Sequence, residues 1–223
     1  ERERPPKPRA AREQQAAPRP AQPFFKFGNL PPFTKYLFAV IVLVNAALLL
    51  LLDDAGLLRV YYMFGFVPGY YTGVMGGMPL TALAGPFTHM IVHGGWTHLF
   101  FNLAMGLPLC MAFEKQYGTR RTAVFFVLCG LAGALLFFAL SPFATTPLVG
   151  ASGAISGLFA ALILSFARES AAGRGRAIPW PLIGFWLAFM IVTGLASGGG
   201  LAWQAHVGGF LAGLLMALRT LRR

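Results

Sequence analysis

The chain has 223 residues, 57% of them hydrophobic and 11% charged, with a mean hydropathy of +0.64. Ordinary soluble domains carry about 25% charged residues, so this composition excludes that class and points to a membrane protein. The formal net charge of +11 is read from its placement along the chain as a topology signal with some attraction to anionic lipid; nucleic-acid binding is the weaker reading.

Residues 1–33 are rich in Pro, Arg, Ala and Gln and poor in large apolar groups, the composition of a disordered basic tail. The first apolar run starts well into the chain and is followed by others, so no secretory signal peptide is expected. From there, six apolar stretches approach the ~20 residues needed to cross a hydrocarbon core. They are Tyr36–Leu52, Phe87–Phe113, Thr122–Leu140, Leu148–Phe166, Ile178–Ala196 and Leu201–Leu218. The expected fold class is an all-α membrane protein, with one six-span domain over 34–220.

Basic residues orient the spans. Arg2, Arg4, Lys7, Arg9, Arg12, Arg19, Lys26 and Lys35 precede the first; Lys115, Arg120 and Arg121 follow the second. Arg168, Arg174 and Arg176 follow the fourth, and Arg219, Arg222 and Arg223 end the chain; only Arg59 lies in a connection of the other parity. Short loops rich in Lys and Arg stay cytoplasmic, so both termini are expected inside. Between the first two spans, Asp53–Pro86 is rich in Tyr, Phe, Met, Gly and Pro with hardly any charge. Tyr61, Tyr62, Tyr70 and Tyr71 suit the membrane interface, and the loop is expected to lie partly immersed beside the bundle.

In the second stretch stand His89, His93, His98 and Asn102. His98 and Asn102 are four apart and share a helix face, where both can donate hydrogen bonds to a developing oxyanion; the plain alternative is structural bonding between helices. His89 and His93 lie nearer the outer end and are read as structural partners of the first loop. Cys110 and Cys129 fall in apolar stretches without paired spacing and read as small core residues.

The fourth and sixth stretches carry the chemistry. Ser152 stands in Gly150-Ala151-Ser152-Gly153, and His206 in Ala205-His206-Val207-Gly208-Gly209. Polar side chains are costly inside a bilayer and mark a site by default. Both spans run from outside to inside, so the two residues share a depth towards the outer face. From Ser152 to Phe166 the helix covers only ~22 Å at 1.5 Å per residue, short of the ~30 Å core. It is therefore expected to start below the surface, behind a non-helical segment 147–151 lining a cavity. Ser152 would then sit where free N–H groups and the positive helix end favour an anion. Gly153, Gly157 and Ala161 on one span, and Ala205, Gly209 and Gly213 on the other, form small-xxx-small patterns that allow close backbone approach. Close approach is what a Ser–His hydrogen bond requires.

A metal site on His89, His93 and His206, or a haem held by a His pair, is the competing chemistry. There is no His-Glu-x-x-His, and no carboxylate lies in the outer half of any span. No metal or other cofactor is expected. The same absence leaves His206 without an acidic third member, so the arrangement reads as a Ser–His dyad.

These motifs resemble those of rhomboid intramembrane serine proteases of the six-span bacterial type, over about Tyr36–Leu218. Gly150-Ala151-Ser152-Gly153 resembles the family's Gly-x-Ser-Gly, which implies that Ser152 is the nucleophile. Ala205-His206-Val207-Gly208-Gly209 with Gly213 resembles Ala-His-x-x-Gly-x-x-x-Gly, which implies that His206 is the general base. The run from His93 to Asn102 resembles the second-span motif whose later His and Asn help form the oxyanion site, and Glu114-Lys115-Gln116-Tyr117-Gly118 resembles the Glu-x-x-x-Gly turn. The chain departs from the pattern at Ala84-Gly85, where a Trp-Arg pair is frequent, and at Cys110, where a Gly is frequent. It also departs at Ser156, where an aromatic often packs on the catalytic His, leaving His206 held less firmly or by another ring such as Trp203.

The resemblance implies a six-helix rhomboid-like bundle in a bacterial inner (plasma) membrane. Its implied activity is cleavage of transmembrane segments of other proteins near the outer face, with membrane lipid as surroundings and no nucleic-acid or metal partner. The alternative class is a rhomboid-like membrane chaperone that binds spans without cutting; such proteins lack the Ser or the His.

Overall fold

In the computed structural model, which describes residues 30–170, 180–196 and 202–220, helices dominate. Residues 1–29, which hold nearly all of the expected basic tail, lie outside the described residues. In chain order the helices are α1 (Pro32–Leu51), α2 (Asp54–Phe64), α3 (Pro68–Tyr71), a 3₁₀ turn (Leu80–Ala84), α4 (Gly85–Thr88), α5 (Trp96–Tyr117), α6 (Thr119–Leu140), α7 (Ser152–Ser170), α8 (Trp180–Ala196) and α9 (Trp203–Thr220). Among the described residues there is no β-strand, only one isolated antiparallel bridge between Phe66 and Leu148. Helices α1, α5 and α6 are long and apolar enough to cross a membrane; α7 and α8 carry the shorter apolar stretches Ser152–Ala167 and Trp180–Val192.

Each of the six apolar stretches overlaps one of the helices α1 and α5–α9, with shifted bounds. The largest shift is in the second. Its helix starts at Trp96, not at Phe87, because Gly95 adopts φ +108, a left-handed conformation only glycine takes without strain. His89 and His93 therefore stand on an irregular approach to α5 instead of on the helix itself. The fourth helix starts at Ser152, four residues later than Leu148, after Gly150 at φ +107.

The first helix shows how ends far apart in sequence complete each other. Pro31 and Pro32 open α1 with the right φ but offer no side-chain cap. Glu114 of α5 supplies it: its carboxylate accepts from Phe33 N at 2.9 Å, Thr34 N at 2.7 Å and Thr34 Oγ1 at 2.7 Å. Thr119 Oγ1 donates to the same group at 2.8 Å. An anion at a helix N-terminus satisfies orphan N–H groups and the helix dipole together. Glu114 is 3% exposed, so Glu114→Ala would leave buried donors unpaired. It is expected to lower unfolding free energy by about 3 kcal/mol, read by denaturant titration in mixed micelles; an unchanged midpoint would contradict the cap.

The first loop is a folded element. Asp53 caps α2 by accepting from Gly56 N at 2.8 Å, and no residue of α2 is buried, as an interfacial helix requires. Beyond α2 the loop is stitched to the segment leading into α7. Gly69 N donates to Ala144 O at 2.9 Å, Phe66 and Leu148 exchange two backbone bonds of 2.9 Å, and Gly150 N donates to His89 O at 2.7 Å. The loop that borders α2 thus fixes the backbone just before Ser152.

Helices α6, α7 and α9 meet through glycine. A Cβ on Gly209 would run into the Gly153 carbonyl, and one on Gly213 into that of Gly157. A Cβ on Gly133 of α6 would lie 2.6 Å from Ala205 O of α9. These backbones touch, which is what small-residue stripes allow in an apolar medium. Around them the buried core gathers Phe113, Phe125, Cys129, Leu158, Leu162 and Phe210.

Candidate active site

The side chains of Ser152 and His206 come together. Ser152 is the first residue of α7 and His206 lies in the first turn of α9. His206 Nε2 stands 2.7 Å from Ser152 Oγ, so a neutral imidazole accepts the hydroxyl proton at short range. The closeness follows from the glycines: α7 and α9 can approach at Gly153 and Gly209 only because neither carries a side chain.

The backbone before Ser152 has its own geometry. Ile155 N donates to Ala151 O at 3.0 Å, which makes Ala151 the helix cap and leaves the N–H groups of Ser152, Gly153 and Ala154 free of intrahelical partners. Gly150 is glycine for two reasons. Its φ is +107, and a Cβ there would lie 2.7 Å from both Cε1 and Nε2 of His98. His98 is thereby brought flush against the turn that delivers Ser152.

The tautomer of His98 follows from its neighbour. Gly94 N–H donates to His98 Nδ1 at 3.2 Å, so the ring proton belongs on Nε2, the nitrogen facing Gly150. Asn102, one turn on, is buried; its Nδ2 gives one hydrogen to His98 O at 3.0 Å, and its side chain also meets the His93 ring. Its Oδ1 is buried without a hydrogen-bond partner. His98 and Asn102 thus offer N–H donors beside the turn, an arrangement suited to a developing oxyanion.

His89 and His93 do not join His206 in a ligand set. Among the described residues no three His, Cys, Asp or Glu side chains gather as a metal ion would need. His89 Nδ1 bonds Gly85 O at 3.1 Å. His93 bonds Ile91 O through Nδ1 at 3.1 Å, its ring meets that of His98 edge-on at 5.2 Å, and its Nε2 lies 3.5 Å from Ala151 N. His93 therefore neighbours the turn before Ser152, whereas the bond to the first loop is made by His89.

Ser156 Oγ faces the Met190 thioether of α8 at 3.9 Å. Sequence reasoning missed Asn45 of α1, whose amide holds the backbone of His93. The signal was present, since Asn45 is a polar residue in a helix of otherwise apolar character.

Comparison with known proteins adds the family. Residues 81–223 match the family model of the Rhomboid domain. Rhomboid-like protease 5 of Toxoplasma gondii is 32% identical over 60% of this chain and 16% of its own length. Rhomboid protease GluP of Bacillus subtilis is 29% identical over 58% of this chain and 24% of its own. Inactive rhomboid protein 2 of Homo sapiens is 31% identical over 59% of this chain and 15% of its own. The chain therefore spans less than a quarter of the length of each of these relatives.

Proposed function

Because this chain belongs to the rhomboid family, we propose that it is an intramembrane serine endopeptidase that cuts transmembrane segments of other proteins by a Ser152–His206 dyad. The observation that carries this reading is the 2.7 Å contact between Ser152 Oγ and His206 Nε2, on two helix N-termini held together by glycines.

The chemistry is acyl transfer. Ser152 Oγ attacks the carbonyl carbon of the scissile bond while its proton passes to His206 Nε2. The oxygen of the tetrahedral intermediate is met by His98 Nε2–H, Asn102 Nδ2–H and the Ser152 backbone N–H, at the positive end of α7. Collapse breaks the C–N bond, and the imidazolium returns its proton to the leaving amine. Water then attacks the acyl-serine with His206 again as base, releasing the second product and restoring the hydroxyl.

The protein is a six-span bundle of the bacterial inner (plasma) membrane with both termini cytoplasmic, supported by the six apolar stretches and by Lys and Arg on connections of one parity. Ser152 then lies below the outer surface, and no cofactor takes part. Two of the relatives are named proteases and one is named inactive, so the test separates cutting from escorting.

Purified protein and a single-span substrate are reconstituted together in liposomes, and fragments are read by mass spectrometry. The wild type is expected to give two fragments ending within or beside the span, and Ser152→Ala none. Undiminished fragments from Ser152→Ala would overturn the dyad; substrate bound but intact in the wild type would favour the chaperone reading.

A further inference from the structure

We infer that Asn45 of α1 is a positioning residue for the active site, acting through His93 on the turn that presents Ser152. The inference rests on the proposed Ser152–His206 chemistry and adds a helix that contributes no reacting group.

The amide of Asn45 is used in full. It is 0% exposed. Its Nδ2 donates to Ile41 O of its own helix at 2.7 Å and to Ile91 O of the approach to α5 at 2.7 Å. Its Oδ1 accepts from His93 N at 2.7 Å. With both Nδ2 hydrogens committed to carbonyls, the 3.4 Å approach of Nδ2 to His93 Nδ1 is a packing contact. Asn45 thus grips the backbone on both sides of Val92 and fixes where the His93 ring begins.

The ring passes the constraint on. His93 Nδ1–H donates to Ile91 O at 3.1 Å, the carbonyl that Asn45 also holds. That bond places the ring proton on Nδ1 and leaves Nε2 as an acceptor, which takes the Ala151 N–H at 3.5 Å. Ala151 caps α7 and precedes Ser152, and Gly150 N is bonded to His89 O at 2.7 Å. The irregular approach to α5 therefore holds two successive amides of the turn, and Asn45 anchors that approach to α1. The first residue in this path is 107 positions from Ser152 in sequence.

A polar residue of this kind could serve the fold alone, so the test separates positioning from stability. Asn45→Leu keeps the apolar volume and removes the amide; Asn45→Ala removes both. His93→Ala and the double variant Asn45→Leu/His93→Ala complete a cycle. Each is reconstituted in liposomes with a single-span substrate, and rates are expressed per Ser152 titrated with a fluorophosphonate. Unfolding midpoints are measured alongside. Asn45→Leu is expected to lower kcat about 10–100-fold, as a small misplacement of a reacting group does, with KM within about twofold. His93→Ala is expected to show a similar loss, and the double variant no more than His93→Ala alone.

Wild-type kcat per titrated site in Asn45→Leu would overturn the inference, because filling the space would then suffice. Losses that multiply in the double variant would overturn the route through His93. Absent labelling in a variant that still unfolds cooperatively supports positioning; absent labelling without cooperative unfolding overturns it. Ser152→Ala in the same assay keeps the two readings apart: if it cleaves, the dyad fails, whatever Asn45 does.

Discussion

Replacing His206 with alanine is expected to slow substrate cleavage by about four orders of magnitude, since removing the base of a nucleophile–base pair costs nearly as much as removing the nucleophile. A serine hydroxyl is a weak nucleophile until its proton has somewhere to go. Here Nε2 of His206 stands 2.7 Å from Oγ, and Ser152 is the hydrogen-bond partner of that ring nitrogen. In the proposed mechanism the full burden of accepting and returning the proton falls on one ring. The loss is expected in kcat, because in the proposed mechanism His206 touches the attacking oxygen and supplies little of the area that a transmembrane substrate would bury. Steady-state cleavage in liposomes checks this, with Ser152→Ala as the floor. A His206→Ala protein within tenfold of the wild type would show that another group deprotonates Ser152, or that Ser152 is not the nucleophile.

Gly209→Leu is expected to abolish the site by a different route. The Gly209 Cα faces the Gly153 carbonyl so closely that even a Cβ has no room, and Gly213 meets Gly157 in the same way one turn on. Overpacking a tight core costs about 1–3 kcal/mol when neighbours can move. Here the neighbour is backbone, which cannot rotate away, so helices α7 and α9 must part. A separation on the order of an ångström would lengthen the Ser152–His206 contact and cost about 100-fold in rate. Two readouts are expected to move together: a fall in unfolding free energy of about 3 kcal/mol or more, and loss of fluorophosphonate labelling at Ser152. Gly184→Ala on α8 is the control, because nothing lies within 4 Å of the added Cβ; stability and rate are expected to stay at wild-type values. Wild-type labelling in Gly209→Leu would contradict the claim that glycine contact sets the distance.

Much of this architecture is legible in the residues. Hydropathy alone marks six stretches, and each overlaps one of the helices α1 and α5–α9, three of which are long and apolar enough to cross a membrane. The meeting of Ser152 and His206 is readable because both stand at the start of a span that carries glycines at a spacing of four, so depth and close approach follow from the same short motifs. The start of α5 is harder to read. Phe87, Met90, Ile91 and Val92 give the segment before Gly94 an apolar character, which favours a helix beginning at Phe87. Gly94 and Gly95, with Gly95 at φ +108, end that pattern and start a new helix at Trp96. The price of the misreading is the role of His93, which an irregular segment can turn towards Ala151 and a helix would not.

The contacts of Asn45 and Glu114 lie further from sequence reach. Each joins segments separated by 46 to 81 residues through backbone atoms, and a backbone partner leaves no mark on residue type at its end. The polar half of each contact is visible: Asn45 breaks an apolar helix, and Glu114 is a carboxylate near the end of one. What each one grips depends on the tertiary path of the chain.

In the proposed mechanism His206 activates Ser152 and no other residue. Fluorophosphonate labelling with intact-mass measurement and peptide mapping tests it most directly. A single adduct on Ser152 is expected in the wild type, and none in a His206→Ala protein that remains folded. An adduct on a different residue, or equal labelling of Ser152 without His206, would contradict it.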